Sequence, residues 1–123
     1  MKKTILIIED NEQNMYLTTF LLEKHGFEIN QARSGPAGIE AARNQQPDLI
    51  LLDIQLPGMD GYQVAKALKQ DQTLSSIPIV AVTSYAMAGD REKILAAGCN
   101  GYIEKPIDPY NFVNQISKFL LSA

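Results

Sequence analysis

Five polar side chains stand at the ends of short, largely apolar runs of this sequence. They comprise three carboxylates, one hydroxyl group and one amine. In chain order they are Glu9 and Asp10, then Asp53, Thr83 and Lys105. If the ends of those runs meet at one place in the fold, the five groups form a single polar site.

The residue types at this site favour phosphate chemistry assisted by a metal. Three carboxylates in one pocket repel one another unless a cation lies among them. Oxygen ligands with no His or Cys nearby favour a hard ion such as Mg²⁺. Lys105 adds a second positive charge and Thr83 a hydroxyl donor, and such groups around a carboxylate can neutralise a phosphoryl group in transfer. Asp53 could then act as the nucleophile and form an aspartyl phosphate.

Strands must position these groups, and five runs of the sequence predict them. Turn residues or helical patterns separate the runs from one another. The predicted strands are Thr4–Ile8, Phe27–Ala32, Leu49–Leu52, Ile79–Val82 and Gly101–Glu104. The third and fourth runs are wholly apolar, which is typical of strands that are covered on both faces.

Helical patterns alternate with these strands. The first helix is expected to be capped by Asp10 or Asn11 and to end at about Lys24. The side chains that it should bury are Met15, Leu17, Phe20, Leu21 and Leu22. The last helix is expected to begin at Asp108-Pro109 and carries a clear amphipathic stripe.

Five strands alternating with five helices predict one α/β domain over residues 1–123. The expected architecture is a (βα)5 flavodoxin-like, doubly wound, five-stranded parallel sheet with strand order 2-1-3-4-5. In an open parallel sheet the carboxyl ends of the strands share one edge, and ligands bind there near the topological switch point. The first and third strands flank that point, so Asp53 should meet Glu9 and Asp10 despite their separation in sequence.

Composition narrows the class of function. The 123 residues are 46% hydrophobic and 20% charged, as in ordinary globular proteins, and the formal net charge is −3. The absence of a basic surplus argues against direct nucleic-acid binding, and no apolar run has the length of a membrane span. The N-terminal residues do not have the pattern of a secretory signal. A single cysteine, Cys99, suits a reducing cytoplasm, where we expect the protein to act.

The motifs together resemble those of the CheY-type receiver domains of two-component response regulators, over essentially the full length of the chain. They are the acidic pair Glu9-Asp10, Asp53 within PDLILLDIQLPGMDG, Thr83 within PIVAVTSYA, and Lys105-Pro106. The segment EDNEQN that begins at Glu9 is similar to its counterpart in stand-alone DivK-like regulators and in the receivers of hybrid histidine kinases.

The resemblance implies a role for each site residue. Asp53 would accept a phosphoryl group from a phosphohistidine on a partner. Glu9, Asp10 and Asp53 would hold Mg²⁺, partly through water, together with the backbone carbonyl of Gln55. Lys105 would pair with the phosphoryl oxygens.

The resemblance also implies a switch and two kinds of partner. Thr83 would move to bond the phosphoryl group, and Tyr102 would turn inward behind it. Gln55 and Tyr85 would gate the attacking water, and the bond between Lys105 and Pro106 would be cis. A histidine kinase or histidine phosphotransfer protein would dock near the first helix and the Pro106 loop. A downstream protein target would bind the face made by the fourth helix, fifth strand and fifth helix.

Three alternatives are open at this point. A haloacid-dehalogenase-type phosphatase also forms an aspartyl phosphate, but it needs an acid two residues after the nucleophile, where this chain has Gln55. A flavodoxin-like cofactor binder needs a phosphate-cradling loop after the first strand, where this chain has Glu9-Asp10-Asn11. Within the leading interpretation the chain is either a stand-alone regulator, which its length favours, or a receiver excised from a hybrid histidine kinase.

Overall fold

The computed structural model of the chain describes residues 2–84 and 88–121. Five strands and five helices alternate along these residues. The strands are β1 (Thr4–Ile8), β2 (Glu28–Ala32), β3 (Leu49–Asp53), β4 (Ile79–Thr83) and β5 (Gly101–Glu104). The helices are α1 (Glu12–Lys24), α2 (Gly35–Gln45), α3 (Gly61–Gln70), α4 (Ala88–Ala96) and α5 (Phe112–Leu121).

The strands form one parallel sheet in the order β2-β1-β3-β4-β5, which confirms the predicted fold class and strand order. The register pairs Ile8 with Leu52 across β1 and β3, and Asp53 with Val82 across β3 and β4. The carboxyl ends of these three strands are therefore level with one another. The polar residues that end them consequently meet at one edge of the sheet.

Apolar side chains cover the sheet on both faces. One face packs against a core that includes Leu52, Val64 and Leu68, and the other packs against a core that includes Met15, Leu51 and Phe112. Every residue of β3 and β4 is buried. This explains why those two runs are continuously apolar in sequence, since a strand buried on both faces has no side that suits polar residues.

Local polar contacts fix where the first three helices begin. The side chain of Asn11 accepts a hydrogen bond from the Asn14 N–H, so Asn11 is the residue that caps α1. Ser34 caps α2 in the same way, through the Ala37 N–H. Asp60 and Gln63 form a reciprocal capping box at the start of α3.

Two expectations about helices were wrong in detail. Phe20 is 51% exposed and its ring stacks on Tyr16, whereas Thr18 is buried. The Thr18 hydroxyl donates to the Asn14 carbonyl within the helix, which satisfies its polar group. The last helix begins at Phe112 rather than at Asp108, because Asp108 forms a turn in which its side chain accepts from the Tyr110 N–H.

Other expectations about local structure hold. Cys99 is a small buried side chain. The peptide bond between Lys105 and Pro106 is cis. Within the described residues, no helix combines the length and the apolar character needed to cross a lipid bilayer.

The first turn of α3 lies directly against the backbone that follows β3. A Cβ atom on Gly61 would lie 2.5 Å from the Ile54 Cα and 2.7 Å from the Asp53 carbonyl oxygen, so a substitution must move backbone. We expect Gly61→Ala to lower the free energy of unfolding by about 1–3 kcal/mol through overpacking. Urea denaturation measures this change.

Gly89 is the matched control, since it also lies in the first turn of a helix but has no atom near its would-be Cβ. Gly89→Ala should leave stability unchanged or raise it slightly, because Ala favours helix over Gly. Equal effects of the two substitutions would contradict the close approach of α3.

Candidate functional site

Three acidic residues converge at the edge where β1 and β3 end. Glu9 follows β1 and is 5% exposed, Asp53 is the last residue of β3 and is 3% exposed, and Asp10 faces solvent. One carboxylate oxygen from each of the three lies within 4.8 Å of the others. The spacing and the all-oxygen chemistry fit a hard divalent cation better than a softer metal, which would favour His or Cys ligands.

Lys105 bridges the two buried carboxylates. Its Nζ atom lies 3.3 Å from Asp53 Oδ1 and 3.4 Å from Glu9 Oε1, and its side chain is 15% exposed. The backbone N–H of Lys105 donates to the Thr83 carbonyl, which holds Lys105 against the end of β4. One ammonium group thus faces two buried acids, with a third acid beside them, and the cluster has an excess of negative charge.

Backbone donors orient the same carboxylates. The Gln55 N–H donates to Asp53 Oδ1 at 2.9 Å, and the Asn11 N–H donates to Glu9 Oε2 at 3.2 Å. Asn11 lies just after β1 and Gln55 just after β3. Each acid is therefore held in place by the chain two residues beyond it, so the position of the carboxylates is set locally as well as by the sheet.

Burial and crowding change the acidity of Glu9. The pKa of Glu9 is raised to about 7, chiefly by burial and also by the hydrogen bond and negative charge of Asp53. The Asn11 N–H and the Lys105 ammonium act in the opposite direction but do not offset these effects. Near neutral pH, Glu9 in the site without a cation is therefore partly protonated.

Thr83 and Tyr102 lie at neighbouring strands next to the acidic cluster. Thr83 is the last residue of β4 and is completely buried, and it pairs with Glu104 in the register of β4 and β5. Tyr102 is half-buried against one of the two cores, and the Arg91 guanidinium lies 5.6 Å from its ring centroid. Tyr102 is thus outside the acidic cluster, two strands from Asp53, beside α4.

Sequence reasoning missed a contact of the Gln55 side chain. Gln55 Oε1 accepts a hydrogen bond from the Ser84 N–H at 3.2 Å. The resemblance assigned the backbone carbonyl of Gln55 to the metal and gave the residue a part in gating water, but it did not indicate this bond to Ser84. No pattern in the sequence indicates how far an amide side chain reaches from a turn. Tyr85, expected to gate water, lies outside the described residues.

The chain is similar to response regulators and their receiver domains. The family of response regulator receiver domains matches residues 5–117 of the chain. The polar-differentiation response regulator DivK of Brucella ovis is 48% identical over 123 residues, which is 100% of both chains.

Solved structures agree with this match. A CheY-like response regulator receiver domain protein from Methanospirillum hungatei JF-1 has a TM-score of 0.91 and 29% identity, covering 99% of this chain and 96% of its own. The receiver domain of a sensor histidine kinase from Pseudomonas aeruginosa PAO1 has a TM-score of 0.90 and 30% identity, covering 98% of each chain. Its structure has a magnesium ion coordinated in the active-site cleft.

The raised pKa of Glu9 predicts a pH dependence of stability in the metal-free protein. A carboxyl group whose pKa rises on folding stabilises the fold below its ordinary value of 4.5, and this contribution is lost as pH rises towards about 7. The difference in unfolding free energy between wild type and Glu9→Gln should therefore fall by roughly 3 kcal/mol over that window. Urea denaturation in EDTA at a series of pH values measures it.

Glu12 provides a control of opposite sign. Its hydrogen bond and ion pair with Arg33 lower its pKa, so its contribution to stability should be lost as pH falls. A Glu9→Gln difference that is flat with pH, or that has the sign expected for Glu12→Gln, would contradict the protonated Glu9.

Proposed function

The chain belongs to the family of response regulator receiver domains, the signal-receiving modules of two-component systems, and we propose that Asp53 is the residue that accepts its phosphoryl group. The observation that carries this assignment is the position of the Asp53 carboxylate. It is buried at the end of β3, 3.3 Å from the Lys105 ammonium and within 4.8 Å of two further acids. None of the other acids described combines these surroundings with a strand end at the switch point.

The family consists of signalling receivers rather than conventional enzymes, and receiver domains interact with histidine kinases and with downstream targets. The only chemistry proposed here is therefore the transfer of a phosphoryl group to Asp53 and its slow loss by hydrolysis. An oxygen of the Asp53 carboxylate attacks the phosphorus of a phosphohistidine on the partner. The P–N bond breaks as the O–P bond forms, and the imidazole nitrogen keeps the electron pair of the broken bond.

Lys105 and Mg²⁺ would offset the charge of this reaction. Lys105 already touches Asp53 and Glu9, so its ammonium can follow the phosphoryl oxygens without a large movement. Glu9, Asp10, Asp53 and the backbone carbonyl of Gln55 would hold Mg²⁺. When bound, the ion neutralises carboxylate charge and polarises the phosphoryl oxygens.

Thr83 and Tyr102 would convert phosphorylation into a change of surface. A phosphoryl group that bonds the Thr83 hydroxyl in only one of two states shifts the population towards that state. Tyr102 pairs with Ala81 in the register of β4 and β5, so its half-buried ring can respond to movement at the end of β4. The face formed by α4, β5 and α5 would then bind a downstream protein.

The histidine donor would approach from a different side. We expect the kinase or phosphotransfer protein to dock near α1 and the Pro106 loop, since the N-terminus of α1 adjoins Glu9 and Asp10. The exposed aromatic pair Tyr16 and Phe20 lies on this helix. We expect the protein to act in the cytoplasm and to bind neither nucleic acid nor membranes directly.

Substitution of the acceptor tests its identity. With a small phosphodonor such as acetyl phosphate and Mg²⁺, the wild type should gain one phosphoryl group, measured by intact-protein mass spectrometry. Asp53→Asn should gain none, because an amide oxygen does not form the acyl phosphate. EDTA should abolish labelling of the wild type, because the acids and the incoming group then repel one another.

Asp48 is the matched control, since it immediately precedes the opposite end of β3 and its carboxylate accepts from the Thr4 N–H. Asp48→Asn keeps that acceptor and should be labelled normally. Labelling that survives Asp53→Asn would exclude Asp53 as the acceptor.

A pair of exposed apolar residues tests the two docking faces. Tyr16→Ala on α1 should slow phosphotransfer from the cognate histidine kinase by roughly 10-fold or more, as for an interface anchor. It should leave the rate with acetyl phosphate unchanged, because the small donor needs no docking. Leu95→Ala on α4, whose side chain is 54% exposed, should leave both rates unchanged. The reverse pattern would mean that the two faces are interchanged.

A further inference from the structure

Gln55 connects the turn after β3 with the end of β4. Its N–H donates to Asp53 Oδ1 at 2.9 Å, and its side-chain oxygen accepts from the Ser84 N–H at 3.2 Å. The backbone that precedes Gln55 is anchored, because the Ile54 N–H donates to the Val82 carbonyl and the Ile54 carbonyl accepts from the Gly61 N–H. The amide side chain is thus a short bridge with one end fixed beside the carboxylate of Asp53.

The direction of the Ser84 N–H follows from the alternating direction of backbone hydrogen-bonding groups along β4. The Val82 carbonyl accepts a hydrogen bond from the Ile54 N–H, on the β3 side. The Thr83 carbonyl accepts one from the Lys105 N–H, on the β5 side. Backbone groups of successive residues in a strand point to opposite neighbours. Ser84 therefore presents its N–H towards β3, on the side where Asp53 lies, as the bond to Gln55 also shows.

The Ser84 N–H also lies in the direction in which a phosphoryl group on Asp53 would extend. The register pairs Asp53 with Val82, so Ser84 is two residues farther along β4, beyond the end of the sheet. A phosphoryl group attached to the last residue of β3 projects past the same end. The next donor that β4 offers on this side is the one that Gln55 occupies.

We propose that Gln55 is a latch that holds the Ser84 N–H in the unphosphorylated protein and that the phosphoryl group on Asp53 must displace to complete its own set of donors. The proposal rests on the acceptor role proposed for Asp53. A phosphoryl group carries about two negative charges near neutral pH. Its oxygens are stronger acceptors than a neutral amide, so they displace Gln55 from the Ser84 N–H. Once the Gln55 amide is released, the end of β4 is free to move.

As a latch, Gln55 is a positioning residue, and its removal should have the opposite effect on phosphoryl binding to the removal of a residue that contacts the phosphoryl group. Removing a ligand of the phosphoryl group weakens binding, whereas removing a competitor strengthens it. Gln55 is exposed, so water competes for the same donor and the contact is worth the lower part of the range for a hydrogen bond. Its loss should therefore raise the affinity for a phosphoryl group roughly 2- to 5-fold.

Beryllofluoride with Mg²⁺ is the probe, because its fluorine atoms stand in for the phosphoryl oxygens on the Asp53 carboxylate. Gln55→Met keeps the length of the side chain and removes the acceptor, and it should bind beryllofluoride roughly 2- to 5-fold more tightly than wild type. Gln55→Asn keeps an amide but is one methylene shorter, so it should behave like Gln55→Met. Gln70→Met, at the exposed end of α3, is the control and should bind as wild type does.

The amide of Ser84 reports the contact without any phosphoryl group. In metal-free protein its hydrogen exchange should be roughly 2- to 5-fold faster in Gln55→Met and unchanged in Gln70→Met. Unaltered Ser84 exchange, or beryllofluoride affinity that is unchanged or weaker in both Gln55 variants, overturns the latch alone. Failure of wild type itself to bind beryllofluoride overturns the proposed acceptor role, and the latch with it.

Discussion

An excess of negative charge at one edge of the sheet is the constraint on which the rest of this structure depends. Glu9 and Asp53 are almost completely buried, with Asp10 beside them and the single ammonium of Lys105 between them. Like charges at this distance and burial are costly unless a cation or a proton compensates them. This cost raises the pKa of Glu9. It also makes the cluster suitable for Mg²⁺, because a bound cation compensates the carboxylate charge.

The fold keeps this arrangement in place because each acid is tied to a rigid element. The acids follow two adjacent strands, and Asp53 itself belongs to a strand whose residues are all buried. The Gly61 turn of α3 packs against the backbone after Asp53, and the Lys105 N–H is bonded to the end of β4. The two buried acids, Glu9 and Asp53, are therefore held close together, and a bound cation or a proton can compensate their repulsion. Such a preorganised cluster is suited to a phosphoryl group that arrives with its own negative charge.

The sequence predicted the sheet because its signals are local and strong. Continuous apolar runs such as Leu49–Leu52 predict strands covered on both faces, and the polar residue that ends each run predicts the shared edge. The features that it could not predict depend on how α1 is oriented on the sheet and on how far a side chain extends from a turn. Phe20 was expected in the core, but it lies outside the stripe of α1 that faces the sheet and stacks on Tyr16 instead. The bond between Gln55 and Ser84 joins two turns, and its formation depends on backbone positions that no local pattern encodes. The roles of Thr83 and Tyr102 remain predictions, since they concern a second state.

The most direct test of this charge constraint is a calorimetric titration of the metal-free protein with Mg²⁺ at pH 6, in two buffers of different ionisation enthalpy. Glu9, with a pKa of about 7, is mostly protonated at this pH and must lose its proton for the cluster to hold the ion. The account predicts saturable binding of one Mg²⁺ with the release of about one proton, and release of none from Glu9→Gln. Saturable binding by the wild type without proton release, or no binding at all, would contradict it.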